Sequence, residues 1–292
     1  MLAPSGGTLP RGHWLIEPYL YDVSVTGAFD AKGTRQATPR QNVFGSLAYV
    51  LYGVTDRFTF GAIPTEGFRV SAAGSTSTGV LLGDLSLHGQ LRLSTYREDS
   101  WLPTTSLAVE VALPTGRHDR LGDRPTDGIG AGVYTTSVAL YSQTYAWLPT
   151  GRILRLRFNA TQAYSSSGHV DGVSVYGTGA PFRGSARPGN VLFVDAAGEY
   201  SVSKQWVLAL DVTYRRQAST RVSGVDAVDV NSQVAPVPFH ASSPTSIAYG
   251  LAPAIEYNWS PNAGVLLGVR LITAGRNTGA STTPAIAVNI VR

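Results

Sequence analysis

The sequence predicts an all-β fold: a transmembrane up-and-down antiparallel β-barrel of about 12 strands, with short periplasmic turns and long extracellular loops, in one domain spanning 1–292. Three observations carry this. Polarity alternates with a period of two through repeated runs of roughly 10 to 15 residues. Tight and long connections alternate between the runs. The ionisable residues inside each run keep to one parity, so one face of every strand is nearly free of charge.

Taken in order, the runs fall at about 13–27, 41–54, 57–68, 80–96, 104–117, 131–147, 152–168, 191–203, 205–218, 245–259, 263–275 and 283–292. "GDLSLHGQLRLSTY" (83–96) shows the pattern: Asp84, Ser86, His88, Gln90, Arg92 and Ser94 share one parity, Leu85, Leu87, Leu91 and Leu93 the other. In "TSLAVEVALPTG" Glu110 opposes Leu107, Val109, Val111 and Leu113; in "ILRLRFNATQAY" Arg155 and Arg157 oppose Leu154, Leu156 and Phe158. Asp195 and Glu199 share a face, Asp211 opposes Leu208, Leu210 and Val212, and Glu256 and Arg270 behave likewise. An Arg turned to lipid at the midplane would cost roughly 2 to 4 kcal/mol, so the charged parity belongs inside.

The connections fit a meander. "GVTDR", "REDSWLPT", "LPTGR", "SKQ" and "SPNAG" carry tight-turn residues and follow the even-numbered runs. Longer stretches, among them 118–130, 169–190 and 219–244, follow odd-numbered ones. One rim therefore holds the tight turns and the other the long loops. Trp14, Trp101, Trp147, Trp206 and Trp259 all fall near the tight-turn rim, where an amphipathic indole suits a membrane-water interface.

Composition excludes other classes. Charged residues are 14% of 292, cysteine is absent, and Lys32 and Lys204 are the whole lysine complement, so most positive charge is Arg. A formal net charge of +4 without a basic run gives no support to nucleic-acid binding. No apolar run is long enough for a membrane-spanning helix. The opening "MLAPSGGTLPRG" lacks the basic start and apolar stretch of a signal peptide, so an exported form would be a processed one with Met1 added. A soluble β-sandwich with its polar faces in water is the alternative fold; the alternating connections, the one-sided Trp set and outward faces dotted with Gly and Ala disfavour it.

"YGVTDRFTFGAIP" (52–64), "GDLSLHGQLRL" (83–93) and "LAVEVALPTGR" (107–117) together resemble the succession found in the meta-pathway of phenol degradation family of outer-membrane β-barrel proteins. The resemblance covers about residues 45 to 150. It implies a barrel fold, a bacterial outer-membrane address, and a channel for small, aromatic or otherwise apolar compounds. One departure stands: such barrels commonly finish on an aromatic residue, whereas this sequence reads "AIAVNIVR".

Twelve strands about 4.8 Å apart and tilted about 40° give a backbone radius of roughly 12 Å, hence a narrow passage once side chains fill it. The inward set is Glu17, Asp84, His88, Arg92, Glu110, Arg155, Arg157, Asp195, Glu199, Asp211, Arg215, Glu256 and Arg270. Its signs are interspersed, which suits ion pairs bracing the barrel or a transverse field around a constriction. The expected function is passive uptake of small solutes through this mixed-charge lumen. Membrane lipid, lipopolysaccharide and a small-molecule solute are the expected partners, with no cofactor. A scaffold or receptor barrel with a closed, salt-bridged lumen is the second reading. A hydrolase is the third, with His118 beside Asp119, Asp123 and Asp127, or His169 beside Asp171, as rim sites; no G-x-S-x-G motif or calcium-loop spacing accompanies them. Segment 170–190 is long enough to fold into the mouth or to stay a mobile loop, and Pro236 and Pro238 would stiffen the next loop.

Overall fold

A sheet whose apolar face meets hydrocarbon must leave no unpaired backbone, and only closure achieves that. The computed structural model, which describes residues 3–99, 101–230 and 233–292, is such a closed barrel. Met1, Leu2, Ser100, Asn231 and Ser232, which fall in the opening stretch, the turn 97–104 and the loop 219–244, lie outside the described residues.

In chain order the strands are β1 (Trp14–Phe29), β2 (Arg35–Thr55), β3 (Phe58–Ile63), β4 (Thr65–Val70), β5 (Leu81–Leu82) and β6 (Leu85–Ser94). There follow β7 (Thr104–Leu113), β8 (Thr135–Trp147), β9 (Ile153–Ser165), β10 (Gly168–Asp171), β11 (Arg183–Arg187) and β12 (Val191–Ser201). The last are β13 (Trp206–Gln217), β14 (Arg221–Val230), β15 (Gln233–Ser242), β16 (Ser246–Ser260), β17 (Ala263–Arg276) and β18 (Thr278–Val291). The ring runs β1-β2-β3-β6-β7-β8-β9-β12-β13-β16-β17-β18 and returns to β1, antiparallel throughout. Strands β4 and β5 continue β3 and β6 past Pro64 and past Gly83 and Asp84, so twelve staves close the ring. At the seam Leu15 pairs with both Leu51 and Val291, and the Trp14 and Arg292 backbones exchange bonds of 2.6 and 2.9 Å.

Alternation sets the two faces. On β13 Leu208, Leu210 and Val212 lie outside and exposed, while Ala209, Asp211 and Thr213 are buried within. Leu20, Phe60, Leu91, Leu107, Phe158 and Leu267 extend the same outer belt around the ring. At about 25 cal/mol per Å² such a belt is stable only against an apolar medium.

Each of the twelve runs read from the sequence corresponds to a stave, with two hairpins longer than expected. Pairing of β1 with β2 persists to Phe29 and Arg35, and β18 begins at Thr278, so the connections there shrink to 30–34 and Asn277. Asn277 turns in the left-handed region at φ 50°, which its short polar side chain tolerates, and its amide donates to the Thr245 carbonyl at 2.9 Å. The long loops 71–80, 114–134, 166–190 and 218–245 do share one rim. They are not plain loops. Strands β10, β11, β14 and β15 form a second four-stranded sheet over that rim, packed on Val170, Phe182, Ala186 and Val222 with Tyr176 and Phe239 against them. Pro236 and Pro238 therefore lie in a strand, β15, at the outer edge of this sheet, where no ladder N–H is needed.

Candidate functional site: a two-sided lumen

The interior has two unlike walls. Strands β3, β6, β7, β8 and β9 present Thr59, Gln90, Ser106, Gln143, Arg157 and Asn159, all buried and all polar. Strands β1 and β2 present Tyr19, Tyr21, Val23, Leu47 and Tyr49, and β16 to β18 add Ala252, Leu266 and Ala285. The tyrosines interlock. Tyr21 lies across Gly45, its cross-strand partner, where a Cβ would fall 2.4 Å from the ring. Tyr19 packs edge-on against Tyr49 at 6.1 Å between ring centres and donates to Glu17 at 2.8 Å.

The polar wall holds the amino-terminal stretch. Arg157 Nη1 donates to the Ala3 carbonyl at 2.6 Å, Asn159 to Pro4 at 3.0 Å, and Ser106 Oγ to Gly6 at 2.6 Å. Gln90 Nε2 reaches the carbonyls of both Ser5 and Gly7 at 3.0 Å, and Ser5 Oγ donates to Gln143 at 3.2 Å. Thr59 then accepts from the Leu9 amide at 2.9 Å. Extended chain without a sheet partner must find side-chain donors for its carbonyls, and this row of amides, hydroxyls and one guanidinium supplies them. The stretch enters past Gly53, where a Cβ would fall 2.0 Å from the Pro10 carbonyl oxygen. The residues that read as a featureless start thus fill part of the lumen on its tight-turn side.

Among the described residues, the lumen holds a lower and an upper cavity. The lower, of about 990 Å³, lies between this stretch and the opposite wall and reaches the rim at Lys204, Gln205, Pro261 and Asn262. Glu17, Glu110 and Glu256 line it against Arg155, Arg157 and Lys204, with His88 Nδ1 at 3.7 Å from Glu110. The upper, of about 550 Å³, is bounded by the tyrosine wall on one side and by Asp211, Arg215 and Arg270 on the other. Tyr49 lines both.

The remaining charged residues serve the wall itself. Glu199 is buried between Arg155, which contacts it through two nitrogens, and Arg157 at 3.1 Å. Asp195 and Asp211 are fully buried on neighbouring strands, and Asn258 donates to Glu256 at 2.8 Å. Arg92 sits half-buried opposite Ser106 towards the tight-turn rim. Asp84 is engaged by a loop. Its carboxylate accepts from the backbone amides of Gly116 at 2.9 Å and Ala131 at 2.8 Å, fastening loop 114–134 to the barrel.

That loop, rather than 170–190, turns inward. Ile129 packs on Gly67 and Gly83, and Gly67 is paired across the sheet with the inward Gly45. Asp127, buried at the end of the 3-10 turn Pro125–Asp127, accepts from the Thr78 amide at 2.8 Å and faces Arg117 at 3.7 Å. Tyr176 donates to the Ala131 carbonyl; burial, with Asp84 nearby, pushes its phenol up to about 12. Segment 170–190 instead contributes the end of β10 and all of β11 to the outer sheet. The rim histidines do converge, through backbone: His118 Nε2 is 3.0 Å from the His169 carbonyl, Asp119 accepts from the Asp171 amide at 3.0 Å, and Arg120 pairs with Asp171. Asp127 is turned away from both, towards Thr78.

All five tryptophans are exposed and on the tight-turn rim: Trp14 and Trp206 open strands, Trp147 and Trp259 close them, and Trp101 stands in the turn between β6 and β7. Trp14 packs on Tyr52 and Trp206 on Tyr257 with tilted rings, each pair 4.7 Å between ring centres. Charge-based reading missed the uncharged wall donors and the inward tyrosines. Parity alone would have found them, since Ser106 shares a face with Glu110 and Tyr19 with Glu17.

No protein-family model matches the chain, and no curated protein matches it. Among solved structures, the COG4313 outer membrane channel from Pseudomonas putida F1 aligns over 100% of both chains at a TM-score of 0.73 and 14% identity. The chain has the fold of an outer-membrane β-barrel. The beta domain of the Bordetella autotransporter BrkA aligns at 0.48 and 8% identity, covering 96% of this chain and 99% of that one. The NanC porin aligns at 0.45 and 11%, covering 93% and 98%. These two lie too far off to carry an argument.

Proposed function

We propose that the protein is a passive channel of the bacterial outer membrane that admits small, aromatic or otherwise apolar solutes. The observation that carries this reading is the pair of cavities meeting at Tyr49, the upper walled by tyrosine and aliphatic side chains and the lower opening at the tight-turn rim. A solute with an apolar body follows the β1–β2 wall, where it keeps van der Waals contact, while water and ions meet the mixed-charge wall opposite. In this reading the tight-turn rim is periplasmic, its tryptophans lie among lipid headgroups, and the β10-β11-β14-β15 sheet faces outward beside lipopolysaccharide. The inward charges on β6 to β13 line or brace the pore, with Asp84 instead tethering a loop.

A second reading, a closed scaffold, is favoured by one feature: the amino-terminal stretch is bonded to six wall residues and occupies the lumen beside them. Uptake into proteoliposomes separates the two. Entry of a radiolabelled neutral arene faster than into protein-free vesicles supports the channel; entry at the rate of protein-free vesicles supports the scaffold.

A further inference from the structure

Four of the inward arginines fall into two sets. Arg155 and Arg157 are engaged by Glu199 and by the Ala3 carbonyl. Arg215 and Arg270 form no ion pair with any described residue. They lie on β13 and β17, separated by β16, on which only Ala248, Gly250 and Ala252 stand between them on the inner face. Small residues there leave the guanidinium groups room to lie along the wall. Arg270 extends over the Phe193 ring, 5.8 Å from its centre, and Phe193 is the cross-strand partner of Arg215. The Arg270 Nε is buried and has no hydrogen-bond partner among the described residues. Both side chains line the upper cavity, face to face with Tyr19, Tyr21 and Val23.

Two carboxylates, Asp195 and Asp211, belong to the same wall. Both are buried to solvent; Asp195 is not part of the cavity lining, whereas Asp211 joins Arg215 and Arg270 in it, so the wall met by a solute holds two guanidinium groups to one carboxylate. A guanidinium drawn out of water with donors unused is costly, and a carboxylate satisfies it in a two-pronged geometry. The cavity beyond it is lined mostly by apolar side chains and large enough for a single ring with a short substituent.

We infer that the upper cavity is a binding site for monocarboxylates with an apolar body, arene carboxylates foremost, the carboxylate held by Arg215 and Arg270 and the ring by the tyrosine wall. The inference deepens the channel reading and rests on it, since it names the solute class that the lumen would select.

Titration calorimetry of the detergent-purified full chain with sodium benzoate, benzamide and sodium acetate tests it. Benzamide keeps the ring without the charge, and acetate keeps the charge without the ring. Benzoate binding at least about tenfold tighter than either is expected, with the advantage over benzamide lost in Arg270→Gln and in Arg215→Gln. Arg270→Lys restores part of it. Equal affinity for benzoate and benzamide overturns the inference, as does a preference for benzoate that survives both glutamine variants. Two variants are used so that poor folding of one, read from heat-modified gel migration, leaves the other decisive. Calorimetry reads binding and not flux. A barrel that prefers benzoate yet passes no solute overturns the channel reading alone, whereas one that passes arenes without preferring benzoate overturns this inference alone.

Discussion

Arg157 Nη1 lies 2.6 Å from the carbonyl oxygen of Ala3, joining the middle of β9 to a residue 154 positions earlier. The bond crosses from wall to contents: it belongs to a ladder that lays the amino-terminal stretch along the polar half of the lumen. A segment held by side-chain bonds alone, without a sheet register, can leave without breaking the barrel.

Removing residues 1–9 therefore raises single-channel conductance in planar bilayers, by about twofold or more, because a narrow lumen conducts in proportion to what its side chains and contents leave free. Gln90→Leu removes two bonds to that stretch and loosens it by about 1 to 3 kcal/mol, at roughly 0.5 to 1.5 per bond. Its expected signature is more frequent switching to the high-conductance level, with unchanged thermal stability of the barrel.

Glu199 is the shared anion of two arginines, one of them buried with it. Glu199→Ala leaves both without a counter-ion and destabilises the barrel by about 3 to 5 kcal/mol. The temperature at which the compact form is lost on a gel in dodecyl sulfate falls accordingly. Glu199→Leu with Arg157→Leu recovers much of the loss if desolvation is the cause.

Sidedness is tested on one strand. Leu210 stands outside the barrel and Asp211 inside. Leu210→Arg places a guanidinium in hydrocarbon and costs about 2 to 4 kcal/mol in refolding into lipid vesicles. The same residue at Leu208, two positions from Trp206 at the rim and also on the outer face, costs less, about 0 to 1 kcal/mol.

The inward loop has its own pH signature. Tyr176 holds its phenolic proton up to about 12 against an ordinary 10.0, through burial first and the Asp84 charge second. The folded state is thus the more protonated one in that window. Its contribution is complete below the unfolded value and declines as pH rises from about 10 to about 12. Protection of loop 114–134 from a protease active at high pH drops across this interval, and Tyr176→Phe removes the dependence while weakening the loop by about 1 kcal/mol throughout.

The period-two pattern was enough to place the staves, because a strand that separates two media writes the difference into alternate residues: Leu208, Leu210 and Val212 on one parity, Asp211 and Thr213 on the other. Turn residues likewise marked the rims, since tight turns constrain residue type locally. Contacts without a local period were not legible. Nothing in "MLAPSGGTLPRG" announces that its carbonyls are met by Gln90, Ser106 and Arg157, for any extended peptide offers the same acceptors. Strands β14 and β15 read as loop because Pro and Gly break their alternation, and they become strands by pairing with each other and with β11. Asp84 shares the inward parity of His88 and Gln90, but no local pattern announces that its carboxylate meets two amides of a loop 32 and 47 residues on. The sequence by itself determined which face of each strand tolerates water. Closure of the ring decided what fills the water side, because a lumen brings together residues from every strand at distances no local spacing encodes.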